Sequence, residues 1–307
     1  MVPSMKLSVI VPSLTGRVPE SLRRQTEGRD DVEVIVVAGV SPVGRARNEG
    51  LRHAHGGHIA WVDSDDAVSE DWLESILGEV DRVTMMGRRL DGLLFDAEAF
   101  GWQTGTSYVY GGSRRTFEGS ELAREIYRDE RLKSHLWRWV LRRELWEGES
   151  FDEEVTALED YLVLPKVVAK AKEIEYLPRK LYQYRYREGS AINRSDEARD
   201  AASVRTAIHR YRVAPLTCKK AALWGTAVMI YWSLNKVCVD NCAISPSYRS
   251  TLSDGRKFIA RHLWGLWSES DGAIGMFGMR LWWMARFVTA ALGCWGLQRW
   301  RSRKRMS

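Results

Sequence analysis

The sequence predicts an α/β fold built on an open, mostly parallel sheet and followed by a helical carboxy-terminal region. Three apolar runs precede Asp63, and helical segments separate them. Apolar runs of this length between polar residues are typical of buried strands. Strands that alternate with helices indicate a parallel sheet joined by right-handed crossovers. From about Asp196 onward the pattern becomes helical.

The predicted elements follow in chain order. Strands are expected at residues 7–11, 32–37 and 59–62, with helices at 21–25 and 46–55 between them; Gly56 and Gly57 end the second helix. Beyond Asp66 the pattern predicts a sequence of further elements: an amphipathic helix at 69–82, a strand at 91–95, a loop or hairpin at 97–117, and helices at 120–127, 137–145 and 161–171.

Composition favours an ordinary folded protein with one large core, or one core plus an appendage. Apolar residues make up 45% of the 307 residues and charged residues 28%. The four cysteines have no metal-ligand spacing, so we expect reduced thiols in a cytoplasmic chain. The amino terminus has one lysine and runs directly into a strand, so we expect no signal peptide.

Three carboxylates, Asp63, Asp65 and Asp66, follow the third predicted strand. Open α/β sheets bind ligands beyond the carboxyl ends of their strands. Carboxylates that crowd there repel one another, and a bound divalent cation offsets this repulsion. Mg²⁺ or Mn²⁺ typically binds one or two carboxylates plus diphosphate oxygens. The alternative is that Asp65 and Asp66 form a turn before a helix capped by Ser69.

A second acidic pair, Glu159 and Asp160, opens an apolar helix that contains Pro165. Carboxylates in a first helical turn are stabilised by the helix dipole by about 0.3–1 kcal/mol. From these residues alone, capping and general-base catalysis both remain open, with capping favoured.

Seven segments together resemble the family 2 glycosyltransferases of GT-A fold, over roughly residues 5–195. They are SVIVP, ESLRRQT, VEVIVV, ARNEGL, HIAWVDSDD, LEDYL and YQYRYREGSA. The resemblance implies a catalytic domain at residues 1–195 and a helical region at 196–307. It also implies transfer of a sugar from a nucleotide-sugar donor, a UDP-sugar being favoured, with a divalent metal and inversion at the anomeric carbon.

The resemblance assigns roles to individual residues. Asp160 is expected to be the catalytic base with Glu159 as its neighbour, and Asp65 the main ligand of Mn²⁺ or Mg²⁺ with Asp63 assisting. Trp137 is expected to contact the acceptor, a glycan or lipid-linked hydroxyl. The donor is expected to contact a larger set: Pro12, Ser13, Arg47, Asn48, Asp63, Arg187 and Ser190.

Two departures from the family pattern concern donor recognition. The family usually has an acidic run after its second strand, whose first aspartate reads the base, but here Ala38 and Gly39 stand there. The chain also passes from Val40 to Ala46 where the family inserts another helix and strand. It is therefore either a compact variant or a protein with a degenerate donor pocket.

The last third raises the question of membrane contact. Residues 221–234 are too short to span a bilayer of about 30 Å. Residues 276–297 are long enough but contain Arg280 and Arg286, so spanning is disfavoured. One apolar face, flanking tryptophans and a basic tail favour a helix lying in the membrane interface; docking on the catalytic domain is equally weighted. The face comprises Leu281, Met284, Ala285, Val288, Leu292 and Trp295, and the tail Arg299, Arg301, Arg303, Lys304 and Arg305.

Three alternatives to an active transferase stay open. A catalytically degenerate nucleotide-binding or scaffold relative is compatible with Ala38 and Gly39. A haloacid-dehalogenase-type phosphatase also has D-x-D after a buried strand. In that family, however, this strand is the first of its domain, and Thr or Val occupies the position at which this chain has Ala67. A nucleic-acid-binding protein is disfavoured because no such motif is visible.

Overall fold

The computed structural model describes residues 5–101, 105–107, 109–156, 158–186, 196–240, 244–273 and 277–292. The chain divides into two compact units. The first comprises Met1–Ile126 and Arg131–Arg194, and the second Tyr127–Glu130 and Ser195–Ser307. Assignment of catalysis to residues 1–195 stays a prediction.

Within the described ranges, the first unit contains nine strands in one mixed sheet. They are β1 (Leu7–Ser13), β2 (Val32–Ala38), β3 (His58–Trp61), β4 (Ala67–Val68), β5 (Gly92–Gly101), β6 (Gly105–Ser107), β7 (Arg115–Phe117), β8 (Trp139–Arg142) and β9 (Ile174–Tyr186). The helices along the same part of the chain are α1 (Glu20–Thr26), α2 (Val43–His53), α3 (Trp72–Met85), α4 (Gly119–Arg128) and α5 (Glu159–Ala169).

The strand order is β2-β1-β3-β8-β5-β9-β4, with β6 added to β5 and β7 to β9. Strand β1 pairs in parallel with both β2 and β3, so the carboxyl ends of these three strands lie at one edge of the sheet. Strand β8 is antiparallel to β3 and β5, which makes the sheet mixed. The predicted α/β sheet flanked by helices is confirmed.

Each face of the sheet has its own core, because successive residues of a strand point to opposite faces. Ile10 and Ile59 pack with the apolar sides of α4 and α5, whereas Val9 and Ala60 pack with α1 and α3. Helix α2 approaches β1 closely at Gly50, where an added Cβ would lie 2.3 Å from the Cγ2 of Ile10. Arg47, one turn earlier in α2, is thereby held beside the strand ends.

The structure corrects one predicted element and decides between two alternatives for another. Residues 137–145 are not a helix: β8 lies there between short 3-10 turns at Leu136–Arg138 and Arg143–Trp146. Its residues fill the gap between β3 and β5, and this tertiary pairing overrides the local pattern. The hairpin, one of the two alternatives at 97–117, is present, since β5 continues to Gly101 and pairs antiparallel with β6.

The second unit is helical where it is described. It contains α6 (Glu197–Val213), α7 (Lys219–Asp240), α8 (Pro246–Ala273) and α9 (Phe277–Leu292), with a 3-10 turn at Leu216–Cys218. Asp196 caps α6, accepting hydrogen bonds from the N–H groups of Ala198 and Arg199 at 2.9 and 3.2 Å. One apolar core joins all four helices.

Helix α9 packs on α7 and α8 through a face that includes Met284 of the predicted apolar face but not Ala285 or Val288. Met284, Phe287 and Ala290 are buried in the helical core, whereas Ala285 is exposed and Val288 is 39% exposed. The guanidinium of Arg286 bonds the hydroxyl of Tyr231 on α7 and lies 3.5 Å from the ring centroid of Trp282. Arg286 can lie within this apolar helix because α7 supplies a hydrogen-bond partner for its guanidinium.

None of the described helices is long and apolar enough to cross a bilayer. Trp295 and the basic tail lie outside the described residues. Membrane-interface binding by this region stays a prediction.

Candidate active site

The D-x-D segment lies where β3 ends, at the carboxyl edge of the parallel strands. The N–H of Val62 still bonds to the carbonyl of Ile10, and a turn from the Asp63 carbonyl to the Asp66 N–H (3.1 Å) follows. This turn separates the three carboxylates: Asp65 is exposed, the Asp63 side chain is 34% exposed, and Asp66 is buried. Asp63 and Asp65 are thus accessible to a ligand, whereas Asp66 faces inward.

A buried arginine joins the D-x-D segment to the start of α5. Arg47 of α2 is 7% exposed; its guanidinium lies 3.5 Å from the Oδ1 of Asp63 and bonds directly to the Oε1 of Glu159. A buried guanidinium needs carboxylate partners to offset its desolvation. The resulting Asp63–Arg47–Glu159 cluster, called here the arginine bridge, brings the two acidic motifs of the sequence into one site.

Asp160 follows Glu159 in the first turn of α5 and has an unusual environment. Burial and the adjacent negative charge of Glu159 raise the pKa of Asp160 to about 8, although Arg47 opposes the shift. Leu158, immediately before the helix, adopts a left-handed conformation (φ 64°) that is strained for a leucine. A carboxylate whose pKa lies near neutral pH has the property required of a general base.

The carboxylates fit a cation that is shared with a diphosphate. Burial and the repulsion of Asp65 raise the pKa of Asp63, opposed by Arg47, so a nearby cation would favour the ionised form of the Asp63 carboxylate. Among the described residues no group of three or more potential ligand side chains is placed to hold a metal. Since Mg²⁺ and Mn²⁺ accept one or two carboxylates plus phosphate oxygens and water, the donor would supply the missing ligands.

Asp66 has a structural role that the sequence did not reveal. It accepts hydrogen bonds from the Tyr182 hydroxyl and from the N–H of Arg185, both at 2.8 Å. Burial raises the pKa of Asp66 to about 7. The Tyr182 hydroxyl also accepts the N–H of Asp63 at 3.1 Å, so this buried tyrosine of β9 positions the D-x-D backbone.

Tyr182 also contacts Trp137, the predicted acceptor residue. The two rings are stacked, with centroids 4.6 Å apart and planes at 10°, and His135 stacks on Trp137 at 4.9 Å. Trp137 is therefore half-buried among other rings, and an acceptor could contact only the part left exposed. One side chain, Tyr182, thus links the D-x-D turn to the predicted acceptor side.

Replacing Tyr182 with phenylalanine should destabilise the protein. The change leaves the N–H of Asp63 and a buried oxygen of Asp66 without their partner, which costs about 1–3 kcal/mol. Urea unfolding measures this difference. Tyr110→Phe is the matched control, because the Tyr110 hydroxyl is buried without a hydrogen-bond partner among the described residues; its loss should be neutral or stabilising. Equal effects of the two changes would contradict the role given to Tyr182.

The other predicted donor residues have different surroundings. The Ser13 hydroxyl, at the end of β1, is buried without a protein partner in the described part of the chain, and Pro12 beside it is half-buried. A buried polar atom left unpaired is compatible with a ligand contact. Asn48 is engaged elsewhere: its amide bonds the backbone of Phe151 in both directions, at 2.8 and 2.9 Å. Arg187 and Ser190 lie outside the described residues.

Comparison with known proteins identifies this architecture. Residues 13–91, from the end of β1 through the D-x-D segment and α3, match the model of the family described as Glycosyl transferase family 2. This segment resembles the family 2 glycosyltransferases. The matched residues include the strand ends, Arg47 and the D-x-D carboxylates, whereas Glu159 and Asp160 lie beyond them.

Curated proteins to which this chain is similar carry the name glycosyltransferase. Glycosyltransferase GlyA of Streptococcus pneumoniae is 26% identical over 47% of this chain and 21% of its own length. Putative glycosyltransferase EpsH of Bacillus subtilis is 26% identical over 57% of this chain and 58% of its own length. The chain therefore spans less than two thirds of these relatives.

The crystal structure of Staphylococcus aureus TarS 1-349 in complex with UDP-GlcNAc has the same fold. It superposes with a TM-score of 0.62 at 17% identity, covering 94% of this chain and 89% of that one. The predicted GT-A fold is confirmed, and the matched segment supports the predicted resemblance to family 2.

Proposed function

We propose that the protein transfers a sugar from a nucleotide diphosphate-sugar to a hydroxyl of a glycan or lipid-linked acceptor, with inversion at the anomeric carbon. The observation that carries this proposal is the arginine bridge, since it joins the carboxylates suited to the donor with those suited to the acceptor. The TarS structures with UDP-GlcNAc and with UDP favour a uridine nucleotide as donor.

Asp65 and Asp63 would hold Mn²⁺ or Mg²⁺ together with the donor's diphosphate. Bound there, the cation neutralises charge that develops on the departing diphosphate. Arg47, 3.5 Å from the Oδ1 of Asp63, would orient this carboxylate and opposes the burial that raises its pKa. Ser13 would donate its unpaired hydroxyl to the nucleoside, and Asn48 would act indirectly, by fixing the loop at Phe151 against α2.

Asp160 would act as the base. Its carboxylate takes the proton of the acceptor hydroxyl as that oxygen bonds to the anomeric carbon and the bond from this carbon to the diphosphate oxygen breaks. Attack opposite to the leaving group inverts the configuration. Glu159 contributes through its charge, which raises the proton affinity of Asp160, and through its bond to Arg47.

The pH dependence of kcat/KM should reflect Asp160. A base must be ionised, and burial with the Glu159 charge raises the pKa of Asp160 to about 8, so kcat/KM should rise with pH through that value. Glu159→Gln removes the repulsion and leaves Arg47 free to stabilise the Asp160 carboxylate, so the rise should move to lower pH. Initial rates at saturating metal measure both profiles. An unshifted profile in Glu159→Gln would contradict this account.

The same proposal includes the cellular location of the protein. The acceptor's lipid or glycan chain and the basic tail favour a cytoplasmic protein held peripherally at the inner face of the cell membrane. The exposed tryptophans Trp232 and Trp282 of the helical unit are compatible with such contact.

A catalytically degenerate relative is the second candidate. Ala38 and Gly39 end β2 without a carboxylate, and Gly39 adopts a left-handed conformation with no neighbour within 4 Å of an added Cβ. This exposed position offers no side chain to read the nucleobase. The proposed donor site would then depend on the phosphates and the sugar more than on the base.

A panel of nucleotide-sugars separates the two candidates. We expect at least one donor to raise the melting temperature in the presence of Mn²⁺ and not in the presence of a chelator, because a ligand stabilises the state that binds it. The same donor should release nucleoside diphosphate when acceptor glycans are added. Metal-dependent binding without release across the panel would favour the degenerate relative.

A further inference from the structure

The helical unit contains a groove of about 780 Å³ between α6 and α8. On α6, the lining residues Arg205, Ile208, His209 and Arg212 are spaced by three or four positions, so they share one face. The matching face of α8 supplies the rest: Thr251, Asp254, Lys257, Phe258, Arg261 and His262, and Tyr211 completes the lining from α6. Two helices thus present their polar sides to one space.

The groove is strongly cationic. Four lining side chains are positively charged, two from each helix: Arg205, Arg212, Lys257 and Arg261. The only acidic residue of the lining is Asp254, whose carboxylate lies 3.5 Å from the ammonium of Lys257. One acid therefore offsets at most one of four cations. The other three positive charges have no acidic partner among the lining residues.

The floor of the groove is aromatic and ordered by specific contacts. The rings of Tyr211 and Phe258 meet edge to face at 5.2 Å, and the His262 ring lies 4.4 Å from Phe258. The Nδ1 of His262 donates to the carbonyl of Phe258 at 2.8 Å, which fixes the imidazole. The groove thus combines an apolar base with charged walls.

The charge of the whole region agrees with that of the groove. Residues 196–307 contain 18 of the 46 lysines and arginines but only 7 of the 40 acidic residues. Residues 1–195 contain the remaining 28 basic and 33 acidic residues, so the excess positive charge belongs entirely to the helical part. A field of this sign attracts anions to the helical unit.

We propose that the α6–α8 groove binds an organic ligand that carries two or more phosphate groups. Arginine matches phosphate with paired hydrogen bonds, and the three arginines with the lysine of this groove can serve more than one phosphate. The volume falls in the range of small-molecule sites and exceeds that of a single phosphate. Tyr211 and Phe258 would contact the organic part. This binding is independent of the transfer reaction proposed above.

Inorganic tripolyphosphate, added to the full-length protein in the presence of a chelator, tests the proposal. Two of the six histidines, His209 and His262, line the groove, so their imidazole NMR signals, assigned with single His→Gln variants, report on it. We expect these signals to shift on titration while those of His53 and His55 do not. Absence of a shift at His209 and His262 at low salt would overturn the proposal.

Charge removal provides the second measurement. Lys257→Gln with Arg261→Gln should weaken tripolyphosphate binding about tenfold or more, because two charge-assisted contacts are lost. Both side chains are exposed, so the fold should persist. The matched control is Lys220→Gln with Arg249→Gln, which removes two exposed cations of the same unit outside the groove. Equal weakening in both double variants would mean unspecific attraction and would overturn the assignment.

The source of the phosphate is decided by comparing two probes. If the ligand is soluble, tripolyphosphate and a nucleoside triphosphate should bind in the groove. Sedimentation with phosphatidylglycerol vesicles should then be the same for the two double variants. A lipid source predicts that vesicle sedimentation also falls selectively in Lys257→Gln/Arg261→Gln. Each result supports the groove as a phosphate site and distinguishes a soluble ligand from a lipid.

Discussion

Asp160→Asn should lower turnover by about 10²–10⁴-fold, the range for loss of a general base. Asparagine has nearly the same shape but cannot accept the proton of the acceptor hydroxyl. The donor is proposed to contact the D-x-D carboxylates rather than Asp160, so its affinity should be nearly unchanged. Steady-state turnover on the acceptor and calorimetric titration with the donor measure the two quantities.

Glu154→Gln is the control for Asp160→Asn. Glu154 is an exposed carboxylate in the loop before α5, so its neutralisation changes the charge of the region without altering the proposed base. Its turnover should stay within a few-fold of that of the wild type. If Asp160→Asn keeps near wild-type turnover, another group is the base.

Asp65→Asn should abolish the Mn²⁺-dependent part of nucleotide diphosphate binding. Loss of a residue that only orients a metal ligand typically weakens metal affinity by about 10–100-fold, and loss of the ligand itself should cost at least as much. Asp65 is exposed, so the fold should be preserved. Calorimetric titration with and without Mn²⁺ measures the effect, with circular dichroism as the check on folding.

The control for Asp65→Asn is another exposed aspartate of the same unit, Asp30, which lies before β2. Asp30→Asn removes the same charge and should leave metal-dependent affinity unchanged. Unchanged metal-dependent affinity in Asp65→Asn would show that the cation, if it binds, is held by other groups.

The strands that lead to the site could be predicted because their residues are buried on both faces. Strands β1 and β3 are almost continuously apolar, so their ends, and the D-x-D carboxylates beyond them, can be located from local pattern. The start of α5 was predictable for the same reason, since Glu159 and Asp160 precede an apolar run. Local composition is sufficient where burial is nearly complete.

Other features depend on partners that are distant in the sequence. Strand β8 forms only because β3 and β5 leave a place for it between them. Arg47 meets Glu159 across 112 positions, and Tyr182 meets Asp66 across 116. Local periodicity carries no information on such pairs. A buried arginine within a helix indicates that acidic partners exist, but not which ones.

The central claim is that two acidic motifs joined by Arg47 have separate tasks, donor binding at Asp65 and proton transfer at Asp160. Donor affinity and turnover, measured side by side in Asp65→Asn and Asp160→Asn with the same donor, acceptor and Mn²⁺ concentration, test it most directly. The account predicts a crossed pattern: Asp65→Asn loses donor affinity, whereas Asp160→Asn keeps donor affinity and loses turnover. Loss of donor affinity in both variants, or full turnover in Asp160→Asn, would contradict it.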